Sequence, residues 1–214
     1  FCLPLLYFSQ LTQETAISEN KISQKIKNLI WDKGLTNVGK YLIARMLYMD
    51  GLIIVSTSVG IFGTSVMGLS ISQILMVAII ANISGAIGCY LFGARARNDK
   101  NTIITTLLIL SFIVILISMN KNPNAYIVLV VAGTFFAGPL QSSSRVVMAN
   151  LIPNETQGLG FGLFTFSGKA TAFIGPVCAA ALTFLISQRA GFAFSIVLLI
   201  LGAFLMLKVS YEKN

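Results

Sequence analysis

Long apolar runs decide most of what this chain can be. Six of them extend over about Gly39–Gly60, Ile71–Phe92, Thr102–Met119, Ala125–Met148, Leu159–Ser187 and Ala190–Val209. Each is near or above the roughly 20 residues an α-helix needs to cross a bilayer. A helix also satisfies its backbone polar groups within one segment, which hydrocarbon demands. The expected fold class is therefore all-α, a polytopic membrane protein with a six-helix bundle over residues 39–209. The fifth run exceeds one crossing and contains Gly168, Gly175 and Pro176, so a loop start, a kink or a late boundary is expected there. The junction Ser187–Arg189 is very short, which makes the last two runs antiparallel neighbours.

Composition excludes several classes. Of the 214 residues, 56% are hydrophobic and 10% charged, against about 25% charged in a soluble domain. A net charge of +8 would suggest nucleic acid in a soluble protein. Here aromatics do not interleave with a basic patch, and no zinc-knuckle or helix-turn-helix pattern occurs. The expected partner is the lipid bilayer, with no nucleic acid. Histidine is absent, which removes common zinc-protease and Ser-His-Asp schemes. No phosphate loop or GxSxG elbow is present, so neither an enzyme nor a cofactor is expected. Cys2, Cys89 and Cys178 lie in or near apolar runs and read as small buried hydrophobes, with no metal spacing and no disulfide framework.

The ends and loops set an orientation. The segment FCLPLLYF, residues 1–8, lacks the basic flank and clear cleavage site of a signal peptide and reads as the end of a preceding transmembrane helix, with the chain a piece of something longer. Residues 9–38 read as a cytoplasmic loop. Within it, SENKISQKIKNLIWDKG places Ile22, Ile26, Leu29 and Ile30 near one helical face and Lys21, Lys25 and Lys27 mostly elsewhere. That is the pattern of an amphipathic helix at a membrane surface, with Trp31 suited to the interface; a mobile linker is the alternative. Lys21, Lys25, Lys27, Lys33, Lys40, Arg95, Arg97, Lys100, Lys208 and Lys213 then share the cytoplasmic side with the 210–214 tail, and the outer loops hold Lys121 and Arg189. Positive residues gather inside in this arrangement. The Lys-, Asn- and Ile-rich composition is that of an AT-rich genome, and the expected location is a bacterial inner (cytoplasmic) membrane.

Charges inside the apolar runs point to a function. At the bilayer centre each costs about 2.5–3.5 kcal/mol even on lenient scales, so such residues usually face a cavity or a partner. Tyr41, Arg45 and Tyr48 lie near one face of the first run by the i, i+4, i+7 rule. Asp50 follows Arg45 by five residues, about 140° round the helix, so the two are poorly placed to pair directly. Gln141 and Arg145 share a face of the fourth run with Ser144 beside them, and Gly138-Pro139 is expected to bend that helix. Thr165 and Lys169 stand at i, i+4 in the fifth. A bound anion, a carboxylate substrate or Asp50 would compensate Lys169. The candidate cavity residues are Asp50, Lys169, Arg45, Tyr48, Gln141 and Thr165; the candidate gate or anchor residues are Arg145, Glu155, Arg95, Arg97 and Asp99. Small residues in the second run (Ala78, Asn82, Gly85, Cys89, and the Ser84/Gly88 pair) permit close helix contact.

Taken together, YLIARMLYMDGL, GPLQSSSRVVMANLIPNE, FGLFTFSGKATAFIGP and SQRAG resemble the C-terminal half of UMF1-type, Atg22-like permeases of the major facilitator superfamily. The resemblance covers about Gly39 to Leu205. It implies helices seven to twelve of a twelve-helix transporter, with a nested three-plus-three inverted repeat. It also implies a missing N-terminal six-helix half or a second chain as partner. The matching motifs fall on Arg45, Asp50, Gln141, Arg145 and Lys169. The loop FGARARNDK stands where superfamily members carry a DRxGR-like element, but Asp99 follows the arginines instead of preceding them. Fungal members are linked to vacuolar amino-acid efflux, so the expected function is alternating-access transport of a small polar solute, with amino acids one possibility. The alternative is an inactive gene remnant or a structural membrane protein without transport of its own.

Overall fold

The computed structural model describes residues 19–32, 34–93 and 99–210. Helix α1 spans Glu19–Ile30 and α2 spans Asn37–Ser65. Helices α3 (Ile71–Gly93), α4 (Asp99–Met119) and α5 (Pro123–Leu151) follow. A 3₁₀ turn, Asn154–Thr156, leads into α6 (Gln157–Ser167), α7 (Ile174–Leu185) and α8 (Gln188–Leu207). Among the described residues, α2, α3, α4, α5 and α8 are long and apolar enough to cross a membrane. The protein is an all-α polytopic membrane protein.

Side-chain caps start these helices. The Thr36 hydroxyl accepts from Gly39 N at 3.1 Å and donates to Leu29 O at 2.6 Å. One residue thus caps the start of α2 and the end of α1. Ser70 and Gln73 form a reciprocal box before α3, with Ser70 N donating to Gln73 Oε1 at 2.9 Å and Gln73 N to Ser70 Oγ at 3.3 Å. Asn122 caps α5, with Pro123 in the first turn where a missing N–H costs nothing. Ser187 accepts from Ala190 N at 3.2 Å to open α8.

Packing runs chiefly along α2–α8, α4–α8, α4–α5, α3–α5 and α7–α8. Tyr41, Tyr48, Phe62, Tyr126, Leu140 and Phe192 are among its fully buried side chains. At one end Phe62 stacks with Tyr126, ring centroids 5.9 Å apart, and lies 5.2 Å from Phe192. The Tyr126 hydroxyl donates to Val59 O. Lys100 near the start of α4 donates to Leu207 O and Val209 O at the end of α8, at 3.1 and 2.6 Å. Arg189 near the start of α8 donates to Ser118 O and Asn120 O at the end of α4, at 2.6 and 3.0 Å. Each antiparallel helix therefore supplies the cation that satisfies its neighbour's last carbonyls.

Helix α3 sits mainly on α5 and leaves Leu75, Met76, Ile79 and Ile83 outward. Pro139 lies inside α5 and has no N–H, so the Phe135 carbonyl lacks its helical donor. That carbonyl lies against Gly88 of α3, where a Cβ would overlap it. Ser84 Oγ donates to Val131 O at 3.0 Å in the same contact. Helix α5 runs as one helix through Gly138-Pro139.

The fifth apolar run departs most from a single span. It forms two short helices, α6 and α7, separated by residues 168–173. Neither piece is long enough to cross alone. In the break Lys169 N, Ala172 N and Ile174 N donate to Phe166 O, Lys169 O and Thr171 O at 2.9, 3.2 and 2.8 Å. These are i→i+3 bonds, which tighten the chain into successive turns. Pro176 then falls in the first turn of α7, where its missing N–H has no intrahelical partner to lose.

Residues 1–18, 33, 94–98 and 211–214 lie outside the described residues, so the expected preceding helix, Arg95 and Arg97, Lys33 and Lys213 do too.

Candidate functional site

Two charges deep in the first apolar run, Arg45 and Asp50, meet the two sides of the break. Arg45 is 5% exposed. Its Nη1 donates to Phe164 O at 2.9 Å and to Ser167 Oγ at 3.4 Å, both in the last turn of α6. Its guanidinium also lies 3.6 Å from the centroid of the Phe164 ring, a cation–π contact worth about 2 kcal/mol when desolvated. Its Nε is buried and has no hydrogen-bond partner among the described residues. Asp50, 6% exposed, accepts a 3.1 Å hydrogen bond from Thr171 Oγ1 inside the break.

Two glycines allow this approach. A Cβ on Gly168 would collide with Arg45 Nη1 and stand 3.2 Å from its Cζ. A Cβ on Gly175 would stand 3.1 Å from Asp50 Cβ and from Asp50 O. The cation thus meets the C-terminal end of α6 and the anion lies beside the N-terminal turn of α7. Both match the sign of the helix dipoles, each contact being worth about 0.3–1 kcal/mol and up to about 2 in partly buried geometry. A break inside a membrane-spanning segment exposes carbonyls and N–H groups that lipid cannot satisfy. Arg45 supplies part of that compensation through Phe164 O.

The face of α2 that carries Arg45 also pins it to α5. Tyr41 Oη donates to Ser144 O at 2.6 Å. Tyr48 Oη lies 2.9 Å from Ser144 Oγ, which donates to Leu140 O at 2.6 Å, so Tyr48 is the donor. Both tyrosines are fully buried. Helix α2 is therefore the shared partner of α5, α6 and α7.

The remaining expected residues separate. Lys169 in the break and Thr165 in α6 are both exposed, and the Thr165 hydroxyl turns back to Phe161 O at 3.0 Å. No ion pair joins Lys169 to Asp50 among the described residues; Thr171 takes that place. Gln141 is exposed and donates to Met49 Sδ at 3.8 Å. It borders a cavity of about 270 Å³ between α2, α4 and α5, lined mostly by apolar residues such as Leu52, Val114 and Val130. Asp50 and Lys169 do not line that cavity. Arg145 and Glu155 are both exposed, with no ion pair between them among the described residues. Asp99 is buried at the start of α4.

Thr171 and Ser167 are the site residues that sequence reasoning missed, and Ser144, Gly168 and Gly175 were noted there without a role in the site. The glycines carried a usable signal, because Gly168 and Gly175-Pro176 bracket Lys169 and Thr171. The roles of Ser144 and Ser167 depend on which helix lies opposite and left no mark in the local pattern.

Comparisons with known proteins show what the sequence is similar to. The sequence model described as "Vacuole effluxer Atg22 like" matches residues 16–214. Autophagy-related protein 22 of Cryptococcus neoformans is 25% identical over 200 residues, covering 84% of this chain and 35% of that protein. Autophagy-related protein 22-2 of Aspergillus niger is 25% identical over 199 residues, with 84% and 33% covered. Autophagy-related protein 22-1 of Aspergillus clavatus is 28% identical over 198 residues, with 84% and 32% covered. The chain spans about a third of the length of these relatives.

Proposed function

The chain belongs to the family of vacuole effluxer Atg22-like permeases, and from that membership we propose that it forms part of a secondary transporter that moves a small polar solute across a membrane by alternating access. The observation that carries this reading is the break between α6 and α7. Broken helices buried in protein or lining a cavity are where membrane transporters place solute and ion sites. Here the break presents an exposed lysine, Lys169, while Arg45 and Asp50 hold it from behind. An exposed lysine within an apolar run calls for a polar surface opposite. In this reading a second six-helix half, in the same polypeptide or in another chain, provides it, and the solute passes between the two. Amino acids are the first solutes to test.

The end of the bundle that carries α1, Lys100 and Lys208 is proposed to face the cytoplasm. The basic residues support this. Ser210 N lies 3.4 Å from Asn37 Oδ1, and Lys100 closes the end of α8, so α1, Lys100 and Lys208 collect at one end while Lys121 and Arg189 mark the other. The expected bacterial inner membrane rests on composition alone, and the relatives named above are fungal.

Uptake of isotope-labelled amino acids into vesicles holding the full-length protein tests the reading. Lys169→Gln is expected to abolish uptake while membrane abundance and thermal midpoint stay at the parent level. Uptake at the parent rate in Lys169→Gln would remove the break from the solute path, and a parent protein that inserts normally but takes up no solute would instead identify a structural membrane protein.

A further inference from the structure

Helix α1 contributes nothing to the break and has a separate use. Its Leu29 and Ile30 pack on the core, while Ser23, Gln24, Lys25, Lys27 and Asn28 are exposed. Directly after it comes Trp31, the single tryptophan of the chain, 58% exposed. Several contacts among the described residues join α1 to α2. Thr36 caps both helices, a bridge joins Trp31 to Leu35, and Gly34 takes the positive φ of 148° that the tight return needs. A Cβ on Gly39 would stand 2.6 Å from Ile30 O, so α1 is pressed against the first turn of a membrane-crossing helix. It is held beside the basic end of the bundle, where Lys100 and Lys208 also lie.

We propose that α1 is a docking surface for acidic phospholipid headgroups, with Lys25 and Lys27 on the lipid anions and the Trp31 ring in the interfacial layer. Three features select this occupant. The helix is continuous with a segment that enters the bilayer at the same point. Its exposed face carries lysines, which anionic headgroups complement. An exposed indole is favoured at the headgroup level, where one edge meets apolar chain and the other meets water. The attachment is electrostatic, so it weakens as acidic lipid is removed or salt rises. It requires only that the chain spans a membrane and stands apart from the transport reading.

Trp31 is its own reporter. The full chain is placed in nanodiscs of phosphatidylcholine, or of phosphatidylcholine mixed with phosphatidylserine, and its emission and quenching by brominated lipid are read. Phosphatidylserine is expected to shift the emission to shorter wavelength and to strengthen quenching. High salt and the double variant Lys25→Gln/Lys27→Gln are each expected to reverse the shift, whereas Lys121→Gln at the opposite end leaves it intact. The thermal midpoint of each variant confirms that the bundle is unchanged. Emission that is the same in both lipids, or that shifts equally in the double variant, overturns the proposal.

Discussion

The guanidinium of Arg45 fills the volume in which a side chain on Gly168 would begin. A charge in one helix and the absence of a side chain in another are therefore one feature. Gly168 has an ordinary φ of −80°, so its requirement is steric and not conformational. Gly168→Ala is expected to push Arg45 off Phe164 O and lower stability by about 1–3 kcal/mol, the range for overpacked cores. Melting in detergent, followed by the fraction that keeps its native elution position, measures it. Gly162→Ala in the same helix, where nothing lies within 4 Å of the new Cβ, is expected to leave the midpoint unchanged.

The Thr171–Asp50 hydrogen bond gives a second, independent reading of the same clasp. Thr171→Val keeps the shape and removes the donor, at an expected cost of about 1.5–3 kcal/mol for a bond to a charged group. Asp50→Ala combined with Thr171→Val is expected to cost less than the sum of the single changes, because each removes the same Thr171–Asp50 hydrogen bond. Strict additivity in the melting data would mean that the bond contributes nothing.

Much of this architecture was legible in the residues. Length and apolarity mark the spans because lipid leaves the backbone few alternatives, and five of the six apolar runs form single long helices. The helical repeat likewise places Arg45 and Asp50 on different sides of α2, where they meet α6 and the break instead of each other. The limit came at the fifth run. Gly168, Gly175 and Pro176 mark an irregularity, but a kink and a full break share those residues. What selects the break is the α2 charges that meet the freed helix ends, and those contacts join residues more than 100 positions apart. Ser144 was named beside Gln141 and Arg145, but its pairing with Tyr41 was not legible for the same reason, since its backbone oxygen is what Tyr41 uses.

That distinction at Ser144 separates two tyrosines of similar burial. Tyr41 donates to the Ser144 carbonyl and Tyr48 to the Ser144 hydroxyl. Tyr41→Phe and Tyr48→Phe are each expected to cost about 1 kcal/mol. Ser144→Ala is expected to couple to Tyr48→Phe and to be additive with Tyr41→Phe. Equal coupling to both tyrosines in a double-mutant cycle would contradict the hydrogen-bond assignment.

The α3–α5 crossing is the sharpest test of the packing. Gly88 of α3 lies against the Phe135 carbonyl, which Pro139 leaves without a helical donor. A methyl there meets backbone on the opposing helix, which cannot rotate away as a side chain would. Gly88→Ala is expected to cost about 3 kcal/mol, the upper part of the overpacking range, and to loosen α3 before the rest of the bundle, since α3 rests mainly on α5. Gly133→Ala in α5 places its Cβ 3.6 Å from Ile113 Cγ2, an ordinary contact, and is expected to be tolerated. Hydrogen exchange resolved by segment measures both. Faster exchange confined to 71–93 in Gly88→Ala, with Gly133→Ala at the parent rate, is the expected result. Protection lost evenly across the chain would mean that α3 is integral to one cooperative core.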